Sequence, residues 1–243
     1  MRKKHHIFFI ANISLLLIAI ILGLVFQGSI SDCGISHLSN IKDVEDSHIV
    51  LNYAWNENDE GGLTLTSFGS DVDLYGVASA EIIAVVAPTG NIIQTEGSIG
   101  QEFTVKEIIK GDASLSVGNT AYVYQYFGFQ EVDGHIEFMN TLNLMNPEND
   151  YLIFMDSSPL NAYQNEPAFI LKSEFFGYIK TDHTDTLTLE GNYRDYNFSD
   201  LANYEFFSTS ESVTKTLNYI RSELLKKFKR KLQVQVGHLH SRN

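Results

Sequence analysis

The chain has 243 residues, of which 44% are hydrophobic and 12% aromatic, and this composition excludes general disorder because it supplies ample apolar surface for a core. Its 30 acidic and 17 basic side chains give a formal net charge of −13, which argues against nucleic acid as a partner because like charges repel. The single cysteine, Cys33, excludes an intramolecular disulfide, so the stability of the fold depends on its core.

The N-terminal region carries a long apolar segment. Residues 7–26 contain no charge and only two polar side chains, Asn12 and Ser14, and they follow three basic residues at positions 2–4. About 20 helical residues span about 30 Å, the thickness of a bilayer's hydrocarbon core. We therefore predict an uncleaved transmembrane signal-anchor that contacts the lipid bilayer through residues 7–26. Because basic flanks stay in the cytoplasm, we expect a single-pass cell-membrane protein with a cytoplasmic N-terminus and an extracytoplasmic C-terminal domain.

Two other interpretations of this region stay open. A cleaved signal peptide is the first, although its apolar part is normally only about 7–15 residues long and the best cleavage candidate, Ser29-Ile30-Ser31, fits poorly. A lipoprotein anchor at Cys33 is the second, but Asp32 stands where Gly or Ala is expected. An extracytoplasmic domain without disulfides is typical of bacterial proteins, so we expect a bacterial source.

Changes in composition divide the chain into five segments. Residues 1–28 form the cytoplasmic flank and membrane anchor, residues 29–46 a polar stalk, and residues 47–207 a β-rich extracytoplasmic domain. Residues 208–231 form an amphipathic helix and residues 232–243 a tail. The predicted fold class is therefore mostly β, with an N-terminal transmembrane helix, a barrel or sandwich ectodomain, and a C-terminal amphipathic helix.

Apolar and polar residues alternate in short runs through the β-rich segment, and turn residues bound each run. One long apolar run is closed by Pro88-Thr89-Gly90-Asn91, and Asp133-Gly134 is the signature of a tight hairpin turn. Gly111 permits a bend after Lys110, and we expect the next strand to begin near Asn119. We predict strands over residues 48–55, 75–87, 103–109, 120–127, 151–155, 168–172, 175–180 and 186–189.

The C-terminal segment has helical periodicity, with a cap expected at residues 208–210 and basic residues near its end. Residues 27–214 hold six Lys or Arg and 29 Asp or Glu, whereas residues 215–243 hold eight basic residues and one acid. We interpret the basic residues as a solvated face of a helix packed on the barrel; contact with lipid headgroups, wall polymers or the acidic body is the alternative. The apolar stripe consists of Val213, Leu217, Ile220, Leu224 and Phe228.

Four segments together resemble a known barrel family: "YGVASAEIIAVVAP" at 75–88, "FTVKEIIKGD" at 103–112, "VGNTAYVYQY" at 117–126 and "NPENDYLIFM" at 146–155. Over residues 72–172 they resemble the oligonucleotide/oligosaccharide-binding (OB) barrels of the netrin-like and tissue-inhibitor-of-metalloproteinase superfamily. The resemblance implies an OB-like five-stranded barrel. Those inhibitors use an N-terminal cysteine to chelate a protease's zinc and staple the barrel with disulfides. This chain has neither arrangement, so no functional residue is carried over.

No catalytic, metal-binding or cofactor-binding motif is complete. The eight histidines form no HExxH, and the loop from Asn56 begins like a calcium site but has Ser67 where a bidentate Glu is required. There is no GxSxG, and the stretch around Lys110 lacks the order of a phosphate-binding loop. We therefore predict no catalytic residue, no metal site and no cofactor.

The most informative pattern for ligand binding is a row of aromatic residues. Tyr122, Tyr124, Tyr126 and Phe127, with Phe129 close by, are the candidate ligand-facing residues; the alternative is that they form ordinary strand and core surfaces. The predicted function is a membrane-anchored extracytoplasmic binding protein whose ligand is an envelope protein, a peptide or a glycan. A cell-envelope hydrolase with an unrecognised site and a structural accessory subunit of a membrane complex are the alternatives.

Overall fold

The computed structural model describes residues 35, 38–50, 77–95, 97–111, 115–126, 128–158, 167–173 and 175–240, with side chains as far as residue 229. These residues belong to one compact unit, Ile35–Asn243. The predicted transmembrane segment at 7–26, Cys33, the acidic loop at 56–62 and Phe127 lie outside the described residues. Within the described part of the chain, no helix combines the length and apolarity needed to cross a bilayer.

The described elements are eleven strands, three short 3₁₀ turns and one long helix. The 3₁₀ turns are Ile41–Val44, Tyr193–Asp195 and Phe198–Leu201. The strands are β1 (His48–Ile49), β2 (Ile82–Gln94), β3 (Ser98–Lys110), β4 (Thr120–Tyr126), β5 (Phe129–Val132), β6 (His135–Phe138), β7 (Tyr151–Ser157), β8 (Ala168–Leu171), β9 (Tyr178–Lys180), β10 (Thr186–Thr188) and β11 (Phe206–Ser208), followed by helix α1 (Glu211–His240).

Five of the strands close into a barrel. Their order is β2-β3-β4-β8-β7, and β7 pairs again with β2 to complete the ring. Every pairing in the ring is antiparallel except that of β4 with β8, where Tyr124 lies opposite Ile170. Because closure leaves no strand edge inside the ring, the barrel satisfies its own backbone hydrogen bonds. The predicted mostly-β domain with a β-barrel and a C-terminal helix is confirmed.

The interior of the barrel is mostly apolar, and it contains a pair of glutamines. The Gln101 side-chain amide donates to Gln125 Oε1 at 3.4 Å, and Gln101 Oε1 accepts the backbone N–H of Met145 at 2.6 Å. The second contact holds the segment after β6 against the barrel, with Leu142 and Met145 inside the core. The other interior side chains include Phe103, Val105, Val123, Ile153, Met155 and Phe169.

Strand β2 continues past the point at which its end was predicted. We expected Pro88 and Gly90 to terminate the strand, but pairing with β3 resumes at Ile92 after an irregularity in register. Gly90 has a φ of +88°, which glycine adopts without strain, and proline is tolerated where a bulge removes the need for its N–H. The prediction that the strand ends at Pro88 is therefore wrong, because Pro88 still lies opposite Phe103 and the irregularity that follows accommodates Gly90.

The β5–β6 hairpin matches its sequence signature. Asp133 has a φ of +51° and Gly134 a φ of +80°, the positive values that a two-residue type I′ turn requires at both central positions. Val132 accordingly lies opposite His135. The predicted Asp-Gly turn is confirmed.

Residue 35 and residues 38–46, which we predicted as part of a stalk, lie within the compact unit. Ile35, Leu38 and Val44 are each at most 3% exposed, and they pack in a cluster that also holds Phe129 and Phe198. The 3₁₀ turn Ile41–Val44 is fixed by a capping box at its N-terminus. The packed unit thus begins before the predicted boundary at residue 47.

Helix α1 covers the outer surface of β7, β2 and β9. Leu217, Leu224 and Phe228 from the predicted stripe are buried against a cluster that includes Ile83 and Phe154. The helix begins at Glu211, directly after the cap predicted at residues 208–210, and it continues to His240, past the predicted end at 231. Ser208, which was predicted as part of the cap, is the last residue of β11, and this strand pairs in parallel with β10.

Candidate ligand-binding face

The three tyrosines of β4 share one side of the strand. Ala121, Val123 and Gln125 point into the barrel core, so alternation places Tyr122, Tyr124 and Tyr126 on the outer wall. The cross-strand neighbours of these tyrosines on β3 are Glu102, Gly100 and Ser98 respectively. We call the outer wall of β3, β4 and β8 the ligand-binding face, after the role predicted for its tyrosines.

Tyr124 packs on the barrel instead of facing solvent. It is 3% exposed, and a Cβ built on Gly100 would lie 2.7 Å from its Cε1. The ring therefore fills the place of a side chain at position 100, a common way of covering a strand glycine. Tyr124 supports the ligand-binding face but does not expose its ring to solvent. Tyr122 is half-buried beside it, and Phe127 lies outside the described residues.

Tyr126 is the tyrosine that presents its ring to solvent, with 58% of its surface exposed. It stands at the rim of a depression of about 190 Å³. Leu142, Ile170 and Leu171 supply apolar lining, and Asn140, Lys172 and Ser173 supply polar groups. The depression is smaller than typical ligand pockets of about 300–1,000 Å³, but like them it combines an aromatic ring, apolar lining and few polar groups.

Two of the polar groups keep hydrogen-bonding capacity toward the depression. Lys172 Nζ lies 2.6 Å from Asp156 Oδ2, which occupies one of its three N–H donors. Ser173 Oγ accepts the N–H groups of Phe175 and Phe176, each at 3.2 Å, and its own proton has no acceptor among the described residues.

Asn140 has a structural role in the same place. Its amide donates to the carbonyl of Tyr126 at 3.0 Å, and its Oδ1 accepts the N–H groups of Thr141 and Leu142. These contacts hold the end of β4 against the strand-to-strand connection that follows β6. Asn140 therefore fixes the backbone that carries the exposed tyrosine.

The sequence did not indicate Asn140, Lys172 or Ser173 as functional residues. They reach the tyrosines because β8 pairs in parallel with β4, a non-local contact that no local pattern encodes. The sequence predicted a strand over residues 168–172, but this pattern does not indicate that the strand pairs with β4. Of the four predicted ligand-facing residues, Tyr126 is exposed, Tyr122 is half-buried, Tyr124 is buried and Phe127 lies outside the described residues.

A second group of polar side chains lies away from this face, under helix α1. Arg221 and Glu205 both have fully buried side chains and form an ion pair at 2.8 Å. Arg221 also donates to the carbonyl of Tyr178 at 2.7 Å, and Glu205 Oε2 accepts the N–H of Asp185 at 3.1 Å. Because buried charges are stable only when they are paired and hydrogen-bonded, this network joins the helix to β9 and β11.

The surface beside that network carries a histidine between two carboxylates. His183 Nδ1 lies 2.8 Å from Asp182 and its Nε2 lies 2.7 Å from Asp185. Burial acts to raise the pKa of Asp182, but hydrogen bonds from His183 outweigh it and hold that pKa below the usual range. Across the described residues, no three His, Cys, Asp or Glu side chains form a group that could hold a metal ion.

The fold and this face define a class of domain: a closed five-stranded β-barrel with an aromatic outer wall on one side and a helix packed on the other. No protein-family model, curated protein or solved structure matches the chain.

Proposed function

We propose that the chain is a membrane-anchored extracytoplasmic binding protein that takes an envelope glycan on its ligand-binding face. Residues 7–26 supply the anchor in this proposal, since the sequence there is uncharged and long enough to span a bilayer. A bacterial source fits the single cysteine of the chain.

An OB-like assignment of the barrel supports this choice of face. OB folds are five-stranded Greek-key barrels, and they bind oligonucleotides or oligosaccharides on the face of their second and third strands. The second and third strands of this barrel are β3 and β4. The ligand-binding face therefore lies where an OB-like barrel would hold a ligand, and the resemblance to netrin-like barrels is proposed for the fold alone.

The charge of the domain selects between the two ligand classes. Residues 27–214 have a balance of −23, from six basic and 29 acidic side chains. A polyanionic oligonucleotide would be repelled by this field, whereas a neutral saccharide chain would not. An envelope glycan is therefore the ligand that the proposal names.

The exposure of Tyr126 is the observation that carries the proposal. Its ring, 58% exposed, offers a flat apolar platform for one face of a sugar ring, while Lys172 and Ser173 can donate hydrogen bonds to hydroxyl oxygens. The depression of about 190 Å³ has room for a single sugar unit and leaves the rest of a chain in solvent.

The experiment compares binding of the full-length chain, in detergent, to immobilised cell-envelope polysaccharides. We expect Tyr126→Ala to weaken binding about tenfold, which corresponds to about 1.4 kcal/mol. Tyr219→Ala is the matched control, because Tyr219 is 67% exposed on helix α1 and its loss should leave binding unchanged. Equal binding by both variants, or retention of an unglycosylated peptide or protein in place of polysaccharide, would refute glycan recognition by this face.

A further inference from the structure

We infer that the basic part of helix α1, residues 226–240, docks on the anionic headgroups of the membrane in which the chain is anchored. This inference rests on the proposed function, because it needs the anchor at residues 7–26 to keep the domain beside the bilayer. It adds a second membrane contact, of a different chemistry, which orients the domain.

The charge of the helix is the first argument. Residues 226–240 contain five basic side chains and no acid, a balance of +5 beside the strongly acidic remainder of the domain. Lys226, Lys227 and Lys229 are exposed. Lys226 pairs with Glu223 at 2.8 Å, but both partners are largely in solvent, so the pair competes weakly with an anionic surface.

The length of the helix is the second argument. Phe228 is 1% exposed and packs on Phe154 at a ring-centroid distance of 5.2 Å, and the helix then continues for 12 residues to His240, about 18 Å. In the sequence, Leu232, Val236 and Leu239 follow Phe228 at intervals of four, four and three residues. Basic residues combined with apolar residues at helical spacing, and no acid after Glu223, are typical of helices that lie in the headgroup region.

The position of the helix on the barrel is the third argument. Helix α1 packs on β7 and β2 through residues such as Leu152 and Ile83, and the strand order β2-β3-β4-β8-β7 places β4, the strand that carries Tyr126, across the ring from them. A bilayer with anionic lipid attracts the basic helix and repels the acidic barrel. Docking through the helix therefore turns the ligand-binding face away from the lipid.

The test uses the full-length chain reconstituted into bilayers of phosphatidylcholine alone and into bilayers that also contain phosphatidylglycerol. Hydrogen exchange of the backbone amides of residues 226–240 is the readout. We expect slower exchange of these amides in the anionic bilayers and equal exchange of the barrel strands in both. Equal exchange of the helix in both bilayers overturns the inference while leaving the anchor intact. Failure of the chain to insert into either bilayer overturns the anchor and this inference with it.

Charge-removing variants identify the contact. Each basic residue at an anionic surface strengthens binding about fivefold, so the triple variant Lys226→Gln/Lys227→Gln/Lys229→Gln should lower the lipid-dependent protection about 100-fold. Glutamine preserves helix propensity. The control is a triple variant in which Lys42, Lys106 and Lys215, all exposed, are changed to glutamine. It alters the net charge equally and should keep the lipid-dependent protection of residues 226–240.

Two results would overturn the lipid contact. An equal loss of protection in the control variant would show that overall charge is responsible, independent of where the lysines lie. The second result is protection in phosphatidylcholine bilayers with added soluble poly(glycerol phosphate) that equals the protection in anionic bilayers. It would show that the helix binds a wall polyanion and does not depend on the membrane lipid.

Discussion

Tyr124 lies over Gly100 across the β3–β4 pair, so that a methyl group at position 100 would meet the tyrosine Cε1 at 2.7 Å. The glycine and the ring are thus a matched pair on the outer wall of the barrel. Their contact fixes the strand that carries Tyr126, the exposed aromatic residue of the ligand-binding face.

We expect Gly100→Ala to destabilise the domain by about 1–3 kcal/mol, because overpacking forces a side chain out of its preferred position. Urea unfolding of the full-length chain in detergent measures this change. Gly97→Ala is the matched control, since a Cβ there meets no atom within 4 Å. A stable Gly100→Ala variant that also retains ligand binding would show that the ring moves aside without cost.

The buried Arg221–Glu205 pair gives a second prediction. Glu205→Gln should cost about 3–5 kcal/mol, because it leaves Arg221 charged and without its carboxylate inside the protein. Thermal unfolding measures the loss. The exposed helix pair Lys215–Glu211, at 2.6 Å, is the control: Glu211→Gln should change stability very little, because solvent screens the pair. Similar losses in the two variants would contradict the importance of burial.

Two buried tyrosines predict a loss of stability at high pH. Burial raises the pKa of both Tyr151 and Tyr178 above the ordinary value of 10.0. Below pH 10 both phenols are protonated in the folded and unfolded chains, so their stability contribution is constant. Above pH 10 the unfolded chain ionises first, and stability falls by up to about 1.4 kcal/mol per pH unit for each tyrosine until the folded pKa is reached. Urea midpoints measured at increasing pH check this slope.

Phenylalanine substitutions separate the two tyrosines. Tyr178→Phe should be neutral or stabilising at pH 7, because the Tyr178 hydroxyl is buried and has no hydrogen-bond partner among the described residues. Tyr151→Phe should cost about 1 kcal/mol, because the Tyr151 hydroxyl accepts the N–H of Asn146 at 2.9 Å. Each change should make the alkaline loss shallower. An unchanged slope in both variants would rule out these phenols as its source.

The proposed anchor gives a prediction about solubility. A chain lacking residues 1–34 should remain in the aqueous phase after detergent phase separation, whereas the full-length chain should enter the detergent phase. Circular dichroism of the shortened chain should be dominated by β-structure. Partition of both chains into water would argue that residues 7–26 are not membrane-embedded, and a mainly helical spectrum would contradict an independently folded barrel.

The strands and the hairpin were accessible from the sequence because their signals are local. Alternation in residues 120–126 and the Asp133-Gly134 dipeptide each depend on backbone geometry within a few residues. Strand β2 was predicted too short because proline and glycine are usually read as ends, although a bulge can hold both. Ser208 was assigned to a helix cap but is the last residue of β11, because a serine fits a cap as well as a strand end.

The site depended on contacts that local patterns do not contain. The parallel pairing of β4 with β8 brings Lys172 and Ser173 to Tyr126, and the partner of a short strand cannot be read from its composition. Arg221 was not expected in the core because arginine is almost always exposed unless it is paired, and its partner Glu205 comes from another element. Exposure of Tyr126 and burial of Tyr124 likewise differ through a single glycine on the neighbouring strand.

The order of elements along the chain sets the order in which this domain can assemble. All five ring strands lie within residues 82–171, whereas Glu205 and Arg221 come afterwards. A chain emerging from its N-terminus can therefore complete the cylinder before its last helix is made. The carboxylate and carbonyl partners of the Arg221 guanidinium are then already in place, and pairing with them is the last step that attaches the helix to the domain.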